Sequence, residues 1–295
     1  MAMARIILGE VFIAILAFAV VYAALSPTLQ PTVFPQVQLP WFAPEGNVMT
    51  ERYSLVKGTN VSQSINFVNL DVAMKLGGVY IIFSDRPNVA FEAVFQHAPN
   101  TTELDASASE DGGKLQVNAY AETGGLNLTL GKDYQYNGSL NIRLGGLAMK
   151  LGQDANISKF AVQIRYLGGV WLTINNGASF EQLDLNIDLG GLQLNVDADD
   201  LGRSGVINTS MNIGGLSLGV NVDTGLIGVS LDATVDIGGV SVNHSDFTGS
   251  VSSTHCSVKT MGYGSAVNKL DIKAIVGLGG VTLQQNVQRL PGFET

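Results

Sequence analysis

The stretch Leu183–Asp200, LDLNIDLGGLQLNVDADD, alternates apolar and polar side chains and breaks step only at Gly190-Gly191. Alternation with a period of two marks a strand with one face on a core. The glycine pair therefore interrupts β structure, and its role decides the fold. As a two-residue hairpin turn it would set Leu189 against Leu192, Ile187 against Leu194 and Leu185 against Val196, keeping one coherent apolar face. As a corner in a coiled sheet it would supply a positive φ at a point where no side chain can intrude.

The phrase recurs as LGGVYI at Leu76, TGGLNL at Thr123, LGGLAM at Leu144, LGGVWL at Leu167, LGGLQL at Leu189, IGGLSL at Ile213, IGGVSV at Ile237 and LGGVTL at Leu278. From Gly124 the first glycines step by 21, 23, 22, 24 and 24 residues to Gly238, then by 41 to Gly279, while Gly77 precedes Gly124 by 47. The two long steps read as about two periods each. A period near 22 is too short for helical-pair repeats and lacks the spacing of leucine-rich repeats. A meander does not need the same turn every 22 residues, whereas stacked coils want the same residue type at each corner. The expected fold is all-β, a β-solenoid of the single-stranded right-handed β-helix type with ~22-residue coils and Gly-Gly corners. An antiparallel β meander or sandwich is the alternative. About ten coils at ~4.8 Å would make a rod on the order of 50 Å long. Its ends would be capped by Asn47–Leu70 and Lys269–Thr295.

Segments such as VDIGGVSVNHSD (Val235–Asp246) and MNIGGLSLGVNVD (Met211–Asp223) resemble the putative-adhesin or toast-rack group of short-coil β-solenoids on bacterial and archaeal surfaces. The resemblance spans roughly Val48 to Gln288 and implies an extracytoplasmic role at the cell envelope. The chain departs from that group in favouring Gly-Gly over Gly-Asp or Gly-Asn, and in an N-terminal rather than a multi-helix anchor.

Composition agrees with β structure: 35 of 295 residues are glycine and only 14% are charged. The net charge is −9, and Glu181–Asp246 holds ten acidic residues against one base, Arg203. That sign opposes phosphate binding, so no nucleic-acid partner is expected. The single cysteine, Cys256, excludes a disulfide framework within the chain.

Residues 1–25 read as a transmembrane anchor or a signal peptide, because Ile6–Leu25 is apolar apart from Glu10 and has the length to cross a bilayer. Ser26–Pro44 carries five of the eight prolines, so residues 26–46 read as a stalk holding a β ectodomain, 47–295. The chain is thus expected to be single-pass with an extracellular C-terminal domain, or secreted. Seven N-x-[ST] triplets, at Asn60, Asn100, Asn127, Asn137, Asn156, Asn208 and Asn243, are candidate glycosylation sites.

Chemistry is sparse. GLSLG (Gly215–Gly219) matches a nucleophile elbow, but Ser217 lies in an alternating strand with no helix to follow. Surface positions account for the three histidines, and His255 and Cys256, adjacent on a strand, face opposite ways. Stacked coils could line aspartates into ladders that calcium would relieve. Asp197, Asp199 and Asp200 are the densest group and the candidate Ca2+ ligands, although no known calcium loop is present. No other cofactor is expected. The leading expectation is a non-enzymatic surface protein that contacts a cell-surface protein, a polysaccharide or its own copies. A pilin-like filament subunit, to which the Gly9-Glu10 helix is similar, and a carbohydrate-active enzyme on a β-helix are the alternatives.

Overall fold

The computed structural model describes residues 49–284, apart from 87 and 100–103. The anchor, the stalk and Asn100 lie outside these residues. No helix among them is long and apolar enough to cross a membrane. The protein is all-β, and its strands form one open sheet.

Eight long strands each contain one glycine pair: β2 (Phe67–Ser84), β5 (Lys114–Gly131), β6 (Gln135–Leu151), β7 (Asn156–Asn175), β8 (Ser179–Ala198), β9 (Gly205–Val222), β10 (Ile227–Asn243) and β13 (Asn268–Gln284). Five shorter strands are β1 (Met49–Val56), β3 (Val89–His97), β4 (Asp105–Asp111), β11 (Phe247–Val251) and β12 (His255–Thr260). The long strands lie side by side, parallel and in register, in the order β5-β2-β6-β7-β8-β9-β13-β10. Gly190 sits between Gly168 and Gly214, so the pair is a bend inside β8 and not a hairpin turn. At ~4.8 Å per strand the eight span about 34 Å.

The bend shifts the alternation. In β8 the buried residues before it are Leu183, Leu185 and Ile187, and after it Leu192, Leu194 and Val196, each at most 2% exposed. Both arms of every long strand thereby feed one continuous core. Full burial of such a side chain stabilises by about 1.5–3 kcal/mol, and each long strand adds several.

The glycines are required by contact as well as by conformation. Seven of the eight first glycines have φ between 140° and 155°, Gly168 being the exception. A Cβ on Gly190 would lie 1.5 Å from the carbonyl oxygen of Gly168, and a Cβ on Gly214 1.5 Å from that of Gly190. The second glycine is different: a Cβ on Gly191 meets nothing nearer than the Gly215 oxygen at 3.4 Å.

Three expectations are corrected. There are eight glycine-pair strands among the described residues, not ten coils, because the long sequence steps hold other strands. The 47-residue step contains β3 and β4, which pair antiparallel with the two arms of β5, with β1 beyond β3. The 41-residue step contains β11 and β12, and β12 covers only the first arm of β10. Finally, Lys269–Gln284 is no cap: β13 is inserted between β9 and β10. Tyr136 of β6 ties β3 to the stack, its hydroxyl donating to the Ala90 carbonyl at 2.8 Å.

Replacing the first glycine with alanine, Gly190→Ala, is expected to cost about 3 kcal/mol or more, since backbone must move. Gly191→Ala should stay within about 1 kcal/mol. Denaturant melts of both variants check this, and equal losses would refute the carbonyl contact as the reason for the first glycine.

Candidate functional site

In-register stacking lines up outward side chains with their counterparts in neighbouring strands. On both arms of β8 it avoids stacking aspartate on aspartate. Asp184, Asp188 and Asp197 each accept a hydrogen bond from the asparagine 24 residues on: Asn208 at 2.8 Å, Asn212 at 3.3 Å and Asn221 at 2.7 Å. On its other side Asp197 lies beside Asn175. The expected carboxylate ladders are therefore mixed rungs in which an amide donates to each acid. Burial works to raise the Asp184 carboxyl, but hydrogen bonds from Asn208 and Gln182, together with the Lys159 ammonium at 3.4 Å, leave it below the ordinary aspartate value.

Asp197, Asp199 and Asp200 serve separate contacts. Asp199 donates its backbone N–H to Asn176 at 2.6 Å, and Asp200 Oδ1 accepts from the Gly177 N–H at 3.2 Å. Among the described residues no three His, Cys, Asp or Glu side chains converge as metal ligands would. Arg203 reaches β8 and β7, donating to Glu181 at 2.6 Å, Asn156 at 2.8 Å and the Ile157 carbonyl at 3.0 Å.

Of the described sequon asparagines, Asn137, Asn156 and Asn208 are half-buried, and each hydrogen-bonds a residue of another strand or loop. Asn60 is exposed but locked in a turn, donating to the Ser54 carbonyl and accepting from the Val56 N–H. Asn127 and Asn243 are exposed on strands. Ser217 lies within β9, between buried Leu216 and Leu218. His255 is exposed and Cys256 buried, on opposite faces of β12, and burial raises the thiol. His97 departs from the surface position expected of it. It is 4% exposed, stacked on Phe95, with Nε2 2.9 Å from Glu51, and so joins β3 to β1.

No family model matches the chain, and the search of curated proteins returns no match. Among solved structures it is similar to the crystal structure of a "putative cell adhesion protein" from Clostridium sporogenes ATCC 15579. The TM-score is 0.50 at 12% identity, over 81% of this chain and all of the other. A likeness at that identity is one of fold.

The second arm carries the feature that sequence reading missed. Its outer face places Tyr80, Ala148 and Trp171 on one line across β2, β6 and β7. The two aromatic rings thus stand two strand spacings apart, about 10 Å, with the small Ala148 between them. Buried neighbours on either side, Val79 and Ile81, and Val170 and Leu172, fix both rings outward. Trp171 Nε1 donates to Thr173 at 3.1 Å, and burial pushes the Tyr80 phenol up, as expected of rings lying along the surface. Alternation puts both rings on the outer face, but it does not carry which strands adjoin.

The depressed Asp184 carboxyl stabilises the fold above its unfolded pKa, near 3.9, and that contribution disappears as pH falls through the folded value. Asn208→Ala should lower stability by about 1–2 kcal/mol at pH 7. The deficit should shrink as pH falls below the ordinary aspartate range and the acid takes up its proton. Thermal melts over a series of pH values from 7 downward test this, and a deficit that does not change across the series would contradict the charged contact.

Proposed function

We propose that this chain is a short-coil β-solenoid, one bent strand to a coil, held outside a cell membrane by its N-terminal apolar segment, and that it works by surface contact rather than catalysis. The observation that carries the reading is the in-register stack, which holds outward side chains in straight lines at ~4.8 Å and so builds a flat, repetitive face suited to extended partners. The fold's likeness to a protein described as a cell adhesion protein supports the same reading. The second-arm face around Tyr80 and Trp171 is its proposed contact surface. Aromatic rings about 10 Å apart on a flat sheet suit a polysaccharide, whose sugar rings can lie on their faces.

Binding of the full chain, in detergent, to a panel of cell-surface polysaccharides is the direct experiment. Trp171→Ala and Tyr80→Ala should each weaken binding at least tenfold while circular dichroism stays unchanged. No binding by the wild-type chain, or equal binding by both variants, would overturn this surface as the contact site.

A further inference from the structure

The charged residues of the eight long strands are unevenly shared between their two arms. The first arms hold fifteen Asp, Glu, Lys and Arg residues and the second arms only two, Lys150 and Asp197. The second arms are about half as long, so length does not account for the difference. Nor does the pleat, because alternate side chains turn outward on both arms. The outer face of the second arms is therefore polar without being charged.

Register shows what fills that face. The line that carries Tyr80 and Trp171 continues across the sheet as Gln193, Ser217, Thr282 and Ser241. Two residues further along each strand a second line runs through Lys150, Thr173, Asn195, Gly219, Gln284 and Asn243. Beyond the two rings the face thus consists mainly of amides and hydroxyls, which both donate and accept hydrogen bonds. Asn195 stands out among them. It points outward, between the inward Leu194 and Val196, yet it is only 6% exposed, and its side chain makes no hydrogen bond among the described residues. Packing by its neighbours fixes the amide, which lowers the entropy cost of using it to hold a ligand.

We infer that the ligand of this face is an uncharged polysaccharide, laid across the strands from Tyr80 past Trp171 to Gln193, and that the amides of Gln193 and Asn195 select it by hydrogen bonding to its hydroxyls. The inference rests on the contact surface proposed above and adds the chemistry of what it holds. The two rings take the faces of sugar units, and the amides beyond Trp171 take the hydroxyls at their edges. An anionic polymer meets one cation on this face, Lys150, and a chain whose net charge is −9. It gains little there and is repelled at a distance. A cationic polymer meets only Asp197, which already accepts from Asn221. Stacking and neutral hydrogen bonds are little screened by salt, so the affinity is nearly independent of ionic strength.

Binding of the full chain in detergent to a neutral β-glucan, a neutral mannan and a polyuronate, at about 0.05 M and about 0.5 M sodium chloride, tests this. One neutral polymer should bind about tenfold or more tighter than the polyuronate. Its affinity should change by less than about twofold between the two salt concentrations. Asn195→Ala and Gln193→Ala should each weaken that binding about fivefold or more. Asn186→Ala, on the exposed outer face of the first arm of β8, and Lys150→Gln should leave it unchanged. Gln193 is half-buried at the surface, so its variant keeps the test open if Asn195→Ala does not fold. A polyuronate bound as tightly as the neutral polymers, an affinity that falls with salt, or wild-type binding by both amide variants would each overturn the inference. If Trp171→Ala still weakens binding in those cases, the contact surface itself stands. A wild-type chain that binds none of the polymers, or binding indifferent to Trp171→Ala, would overturn the contact surface and this inference with it.

Discussion

A carbonyl oxygen occupies the space where the Cβ of each first glycine would stand. In the middle of the stack that oxygen belongs to the first glycine of the neighbouring strand, 1.5 Å from the would-be Cβ at Gly190, Gly214 and Gly279. The corner is thus a column of backbone against backbone, and each member forces glycine on the next. Everything else follows from this line. Because the bends coincide, the arms on each side coincide, the ladders run in register, and Leu, Ile and Val stack into a single core. The second glycine has more room: a Cβ there would meet a carbonyl oxygen no nearer than 3.1 Å, tight at Gly280 and Gly146 and open at Gly78 and Gly125.

Register imposed by the corner has a cost on the polar faces, where like residues are brought onto like. An all-aspartate rung would set carboxylates one strand spacing apart and repel. Asparagine in the adjoining strand removes the problem by donating to the acid, at Asp184, Asp188 and Asp197. The acidic run between Glu181 and Asp246 is therefore partly an internal hydrogen-bonding system and not simply a solvated charge field. The aromatic pair Tyr80 and Trp171 is a product of the same register, since residues 91 positions apart become near neighbours only because both follow a glycine pair.

The ends of the stack are treated unequally. At β5 both arms are covered, by β4 and by β3 with β1. At β10 the first arm is covered by β12, while the second arm is held at its start by the Val240 N–H donating to Ser253 at 3.0 Å. Val240 and Val242 are half-buried there, whereas their counterparts Val281 and Leu283 in β13 are at most 1% exposed. Paired and blunted edges of this kind keep a parallel sheet from adding further strands.

Sequence by itself determined the local structure. Strict alternation in LDLNIDLGGLQLNVDADD specified a strand with one buried face, and recurrence of Gly-Gly favoured a bend over a hairpin turn at a fixed place in each repeat, because both depend only on neighbouring residues and on backbone sterics. It also kept Ser217 in a strand and set His255 and Cys256 on opposite faces. Only the tertiary structure decided the order of the strands. All eight share one consensus, so nothing local told β13 to lie between β9 and β10, or β2 between β5 and β6. For the same reason the partners of Asp184, the spacing of Tyr80 from Trp171 and the burial of His97 against Glu51 were invisible in the chain. Those are cross-strand relations, and a strand's alternation states which way a side chain points but never which strand lies beside it.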